Sequence, residues 1–252
     1  MYCEKPTGVD LAGVKATIAA SKKQDPQNLA TGFQQRYDPV YLEAYKRIQE
    51  GQIGDIVNAR AFWIADDPYK RTPYPDPNIE KLRNWFCYKD YSGDFVVEQD
   101  CHNFDVLHWF LGRRPIRAVG MSGRKVRTNM EIMDHLSVVF EFPNNIRVNY
   151  EANQISPPGF RKVGEEFTGT KGVMETSRVR IVHHKSANDI QTIPSPRDIT
   201  YDGIEAFLTR IETGKVENVG ERSAISTLFG ILARTAMYRQ GEAVWKKESG
   251  DV

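Results

Sequence analysis

The stretch that most restricts how this chain can fold runs from Leu136 to Ala152. Leu136, Val138, Phe140 and Phe142 alternate with other residues, Pro143-Asn144-Asn145 interrupts, and Ile146, Val148, Tyr150 and Ala152 alternate back. Alternation at a period of two gives a pair of strands one apolar and one polar face. The three-residue break predicts a hairpin with Asn145 in the left-handed conformation. Its register sets Glu141 opposite Arg147 as a favourable cross-strand pair. A sheet divided in this way is antiparallel and covered by helices on one face only.

Around that hairpin the punctuation predicts further elements. Strands are expected over 29–36, 56–64, 116–125, 160–168, 172–176 and 179–184. Helices are expected from Val9 through Ala19, with Thr7 or Asp10 as cap and Pro26 and Asn28 at the end, then from Pro39 to Glu50, Gly93 to Gly112, Asp202 to Thr213 and Arg222 to Gln240. Residues 65–77 hold Pro68, Pro73, Pro75 and Pro77, which forbid regular structure, so this stretch reads as a binding loop or a surface insertion. Gly169-Thr170-Lys171-Gly172 lacks phosphate-loop spacing and reads as a turn. The fold class expected is α+β.

Charge narrows the partners. The 34 basic and 33 acidic residues leave a net charge of +1, and they are interspersed, so no footprint for nucleic acid or an anionic membrane exists. No apolar run reaches membrane-spanning length. The three cysteines form no Cys-x-x-Cys pair, which indicates neither a disulfide scaffold nor a zinc ribbon and is compatible with a reducing compartment. A small or neutral substrate is the better expectation.

Chemistry concentrates between Gly93 and Gly112, which reads as one mostly buried helix. Val97, Cys101, Phe104, His108 and Leu111 share one side, and Glu98, His102 and Asp105 form an acid-imidazole-acid stripe beside it. Spacing alone leaves two readings open, a satisfied buried pair or a site. As metal ligands the three do not match a zinc pattern, since all come from a single helix, and no metal is expected.

Several short motifs occur in a telling order: Glu4-Lys5-Pro6, Arg36-x-Asp38-Pro39, Gly51-Gln52-Ile53-Gly54-Asp55-Ile56, the stretch around His102, Gly169-Thr170-Lys171-Gly172 and Ala243-Val244-Trp245. In that order the chain resembles the Gfo/Idh/MocA oxidoreductases from near its first residue to near its last. The resemblance implies a nicotinamide-binding Rossmann domain followed by a domain with a large, open, mainly antiparallel sheet. No Gly-x-Gly-x-x-Gly occurs among the 19 glycines, so the dinucleotide-binding turn is missing. Residues 1–36 then correspond to the remnant of the Rossmann domain and 37–252 to the substrate and oligomerisation domain.

Carried over by motif, Lys5, His102 and Glu98 are the catalytic candidates, with Glu98 standing where the family has an aspartate. A partly desolvated lysine loses its charge easily and exchanges protons with a hydroxyl, while the histidine is the acid-base group. Glu4, Lys5 and Pro6 would touch the cofactor, NAD or NADP, with Pro6 rigidifying the turn through a cis bond. Arg36, Tyr74, Arg83, Trp85 and Asp105 are the implied substrate contacts.

The implied activity is oxidation of a sugar, polyol or related carbohydrate by an NAD(P)-dependent enzyme, with the 252-residue chain itself expected to hold the cofactor weakly and to be inactive. Two alternatives accompany it: a non-catalytic carbohydrate-binding or oligomerisation domain, and an NAD-dependent glycosidase. The partners expected are a small carbohydrate and further copies of the chain, packed through the open sheet. The cytoplasm is the compartment expected, or the periplasm if an export signal precedes Met1.

Overall fold

The computed structural model describes residues 1–23 and 28–246. Pro26, expected to end the first helix, lies outside the described residues. Strand β1 (Tyr2–Cys3) pairs in parallel with β2 (Ala30–Thr31), Tyr2 facing Ala30 and Cys3 facing Thr31. Between them α1 (Leu11–Ser21) is capped by Asp10, whose Oδ1 accepts from the Gly13 N–H at 2.7 Å. The strand expected over 29–36 stops early. The Phe33 N–H turns back to the Thr31 carbonyl at 2.7 Å, and Gln34–Arg36 is a 3-10 turn.

Helix α2 (Pro39–Gln49) has proline in its first turn, where the missing N–H costs nothing, and Asp38 as cap. Gly51, at φ +74°, turns the chain into β3 (Ile56–Ile64). After the proline-rich loop come α3 (Pro77–Arg83), α4 (Lys89–Ser92), α5 (Phe95–Glu98) and α6 (Cys101–Leu111). Seven strands follow: β4 (Arg117–Gly123), β5 (His135–Glu141), β6 (Arg147–Asn153), β7 (Lys162–Gly169), β8 (Val173–Ser177), β9 (Arg180–Ser186) and β10 (Asp189–Pro194). Helices α7 (Ile199–Glu212) and α8 (Gly220–Arg239) and strand β11 (Glu242–Val244) complete the described chain.

Nine strands form one sheet in the order β10-β9-β8-β7-β3-β6-β5-β4-β11. Every neighbouring pair is antiparallel except β3–β6. The expected hairpin forms β5 and β6, with Glu141 opposite Arg147 and their side chains 3.4 Å apart. Asn145 is left-handed at φ 61°, and so is Asn144 at φ 63°. Ala59, Ala61 and Trp63 of β3, Val138 and Phe140 of β5, and Val148 and Tyr150 of β6 are buried. Helix α8 packs on β4, β5 and β11, while α6 packs on β3 and β7. Burying each large apolar side chain on that face contributes about 1.5–3 kcal/mol, so the alternation itself selects which face the helices cover. The other face carries Val119, Met121 and Val139 in the open.

Two further elements depart from expectation. Strand β10 escapes the alternation rule because it is an edge strand with no buried residue. Helix α7 begins three residues before Asp202, because Asp198 caps it by accepting from the Thr200 N–H at 2.8 Å.

Candidate functional site

The helix expected over 93–112 is two helices, and the break between them builds the site. Asp94, left-handed at φ 70°, takes hydrogen bonds from the Phe95 N–H at 2.6 Å, the Met133 N–H at 3.0 Å and the Tyr238 hydroxyl at 2.7 Å. This anchors the start of α5. The Gln99 N–H still meets the Phe95 carbonyl at 2.8 Å, but the Asp100 N–H reaches back five residues to that same carbonyl at 3.1 Å, and the His102 N–H reaches only the Gln99 carbonyl, at 3.5 Å. The Glu98 carbonyl, which an unbroken helix would have paired with His102, is freed. Lys5 takes it: Nζ donates to the Glu98 carbonyl at 2.6 Å and to Glu98 Oε1 at 3.0 Å. Lys5 itself follows β1 in a turn whose Lys5–Pro6 bond is cis.

Lysine and glutamate are both largely buried, with side chains 11% and 9% exposed. Burial pulls the Lys5 pKa down, but Cys101 and the Glu98 carboxylate, which is also hydrogen-bonded to it, more than offset that pull, and the pKa is raised. In this arrangement Lys5 is an ammonium at neutral pH. A salt-bridged ammonium is a fixed donor, with one of its three N–H groups left over.

His102 lies in the first turn of α6, buried to 3% exposure. The Trp63 ring stacks on it at 5.8 Å, 17° from parallel, and Phe33 meets it edge-on at 5.9 Å. Burial, then the positive charges of Arg178 and Lys5, hold its pKa well below the usual imidazole value. The ring is neutral at pH 7 and able to accept a proton. Four wholly buried polar atoms in this stretch lack a protein hydrogen bond: Glu98 Oε2, both carboxyl oxygens of Asp100, and His102 Nδ1. Such orphans are rare enough that each calls for a water or ligand. Tyr69, stacked on Phe86 at 4.0 Å, is pulled toward the same cluster: after burial, the Glu98 carboxylate is what raises its hydroxyl pKa.

Against this geometry the comparisons with known proteins can be placed. The profile of the GFO/IDH/MocA C-terminal domain matches residues 41–175, more than half of the chain. The chain belongs to the GFO/IDH/MocA family. It is 25% identical to the scyllo-inositol 2-dehydrogenase (NAD(+)) of Bacillus subtilis, with 97% of this chain and 70% of that protein covered. Identity to the inositol 2-dehydrogenase of Salmonella typhimurium is 24%, covering 82% of this chain and 55% of that protein. Among solved structures, levoglucosan dehydrogenase in complex with NADH and levoglucosan shares the fold at a TM-score of 0.77 and 17% identity, over 96% of this chain and 72% of that chain. The chain thus spans about half to seven-tenths of the length of these relatives.

Within this GFO/IDH/MocA site the expected substrate contacts are scattered. Arg36 and Asp105 hold each other, Nε to Oδ2 at 2.8 Å and Nη2 to Oδ1 at 2.9 Å, and the guanidinium also lies 5.2 Å from the Trp109 ring. Their polar atoms are committed to one another, so Asp105 does not share a free stripe with Glu98 and His102. Tyr74 and Arg83 are exposed, and Trp85 packs edge-on against Phe86 at 5.9 Å. Glu4 lies beside Gly32, where any Cβ would meet its carboxylate. Among the described residues, no group of three His, Cys, Asp or Glu is placed to hold a metal.

Sequence reasoning missed Phe33, Trp63, Tyr69, Arg161 and Arg178. Arg71 and Arg127 pin the loop carrying Tyr69, through Glu80 at 2.7 Å and Asp67 at 2.8 Å. The aromatic, proline-rich composition of that loop was the available signal. For Arg178, a turn residue, there was none.

Proposed function

We propose that this site takes a secondary alcohol of an inositol, sugar or related polyol and delivers its proton to His102, as the substrate half of a nicotinamide-dependent dehydrogenase. The observation that carries the reading is a fixed ammonium, Lys5, salt-bridged to Glu98 one turn before a neutral, buried imidazole, with Glu98 Oε2 and His102 Nδ1 both left without a protein partner. Relatives named scyllo-inositol 2-dehydrogenase (NAD(+)) and inositol 2-dehydrogenase support the same substrate class.

The residues present fit the reacting end of a nicotinamide cofactor. Glu4, Lys5 and Pro6 leave the carboxyl end of β1, and ligands of parallel sheets bind beyond that edge. They do not fit its pyrophosphate, for want of a Gly-x-Gly-x-x-Gly turn. A nicotinamide bound there would accept the hydride from the carbinol carbon. The remaining N–H of Lys5 then holds the substrate oxygen, and His102 accepts the hydroxyl proton as general base. Trp63 keeps the imidazole plane fixed. Glu98 Oε2 accepts from a neighbouring hydroxyl, which selects for a polyol.

The parallel β1–β2 pair, separate from the large sheet, supports reading residues 1–36 as the end of a dinucleotide-binding unit and 37–252 as the substrate domain. On this reading the 252-residue chain binds NADH weakly, and a fluorescence titration showing tight binding refutes that part. Val119, Met121 and Val139 on the open sheet face, 47%, 65% and 42% exposed, favour a homo-oligomer packed through that face, which light scattering checks.

The test of the site is saturation-transfer NMR of the chain with myo-inositol, scyllo-inositol and glucose. Transfer to at least one of them, lost in His102→Ala and weakened in Lys5→Met, supports the reading. Transfer to none, or transfer indifferent to both folded variants, removes it.

A further inference from the structure

Arg178 sits in the turn between β8 and β9, folded inward. It makes no hydrogen bond or ion pair among the described residues, and its Nε and Nη2 are wholly buried without a partner. Its guanidinium carbon lies 5.3 Å from the Trp63 ring centroid. The guanidinium carbon of Arg161 lies 5.6 Å from the same ring, also without a hydrogen bond or ion pair among the described residues. Trp63 is the ring stacked on His102. Two cations therefore converge on the aromatic platform of the site.

Among the described residues no carboxylate forms an ion pair with either of them. A ring face attracts a guanidinium, but it leaves the in-plane N–H groups unsatisfied. The buried carboxyl of Glu165, whose charge acts on Arg178, is bonded to Tyr41 at 3.2 Å, Asn103 at 2.6 Å and Thr176 at 2.6 Å. Burial, against those hydrogen bonds, raises its pKa to about 7, so it is only partly ionised at neutral pH. Asp198 is engaged as the cap of α7, and Glu98 is held by Lys5. A buried guanidinium with no acceptor is costly to keep, and such costs are retained at sites that bind something.

We propose that Arg161 and Arg178 form an oxyanion subsite beside His102, so that the carbohydrate taken by this site carries a carboxylate or phosphate group. This goes beyond the neutral inositols named for the relatives, and it rests on the reading of the site as a polyol site. The planar fork of Arg178 matches a carboxylate or phosphate edge, and Arg161, at the exposed start of β7, supplies the second charge.

Isothermal titration of the chain with glucose, glucuronate and glucose 6-phosphate tests this. Charge-assisted hydrogen bonds to two arginines predict at least about tenfold tighter binding of one acidic sugar than of glucose. Glucuronate and glucose 6-phosphate as separate arms tell carboxylate from phosphate. The preference shrinks to within about threefold in Arg178→Met and in Arg161→Met. Arg161 is exposed, so its variant keeps the fold even if Arg178→Met does not. Glucose binding as tightly as both acidic sugars overturns the subsite and leaves the polyol reading standing. An acidic preference that survives both variants also overturns it, and binding of no sugar removes both.

Discussion

Arg36 and Asp105 give the sharpest test of which buried charges hold the fold and which bind substrate. Asp105 is 1% exposed and Arg36 12% by side chain, with two N–H···O bonds of 2.8 and 2.9 Å between them. Ser226 Oγ donates a further bond to Asp105 Oδ1 at 2.7 Å. Asp105→Asn keeps the volume but removes the charge, leaving a guanidinium buried against Trp109 with no counter-ion. Removing one partner of such a pair costs about 3–5 kcal/mol. For a chain of this size each kcal/mol moves Tm by about 2–4 °C, so a fall of about 6–20 °C is expected. Calorimetry or urea denaturation reads it directly. The exposed Lys46–Glu50 pair, 3.9 Å apart, is the control: Glu50→Gln changes stability by no more than about 0.5 kcal/mol. Replacing both partners, as Arg36→Met with Asp105→Asn, recovers part of the loss, because no uncompensated charge remains. A melt of Asp105→Asn within about 1 kcal/mol of the parent, accompanied by weaker sugar binding, would refute the argument and return Asp105 to the substrate.

Three further outcomes follow from the buried titratable groups and the loop. The His102 ring stays neutral from pH 8 to pH 6, so its imidazole resonances stay flat in an NMR titration; a midpoint near 6.5 contradicts the burial argument. Its depressed folded pKa adds stability that is present above the unfolded value near 6.5 and is lost as pH falls below it. Glu165 behaves oppositely: with a folded pKa of about 7 against an unfolded 4.5, it costs nothing below pH 4.5 and destabilises progressively up to pH 7. Glu165→Gln should match the parent near pH 4 and exceed it by about 3 kcal/mol at pH 8, and equal denaturation midpoints at both pH values would sink this. In the loop, Glu80 accepts from Arg71 and from the Tyr74 N–H. Glu80→Ala should make residues 65–76 markedly more susceptible to limited proteolysis while leaving hydrogen-exchange protection of the large sheet unchanged.

How much of this was legible in the sequence depends on whether the signal was local. The hairpin was, because alternation and the Pro143-Asn144-Asn145 break act within the segment they describe, and β5 and β6 formed with the expected register. Helix α2 was, with Pro39 and Gly51 marking its ends. The strand expected over 29–36 failed because Phe33, apolar enough for a strand, is instead spent against His102. The Gly93–Gly112 helix failed for a related reason: periodicity reports which side is apolar and is blind to a break whose freed carbonyl is taken by a distant partner, here Lys5 on Glu98.

That break is what separates the three polar residues of the expected stripe. In an unbroken helix Glu98, His102 and Asp105 would face one way and compete for one environment. With the ladder interrupted at Gln99 and Asp100, the Glu98 carbonyl is released to a lysine from the far end of the chain, His102 enters α6 where its ring meets Trp63, and Asp105 turns to Arg36. A carboxylate held by a cation beside the imidazole, rather than bonded to it, leaves the ring neutral. Had Glu98 bonded His102 instead, the imidazole pKa would have risen and more of the ring would have been protonated near neutral pH. The broken helix is therefore the feature that lets one short segment supply both a fixed charge and an uncharged imidazole.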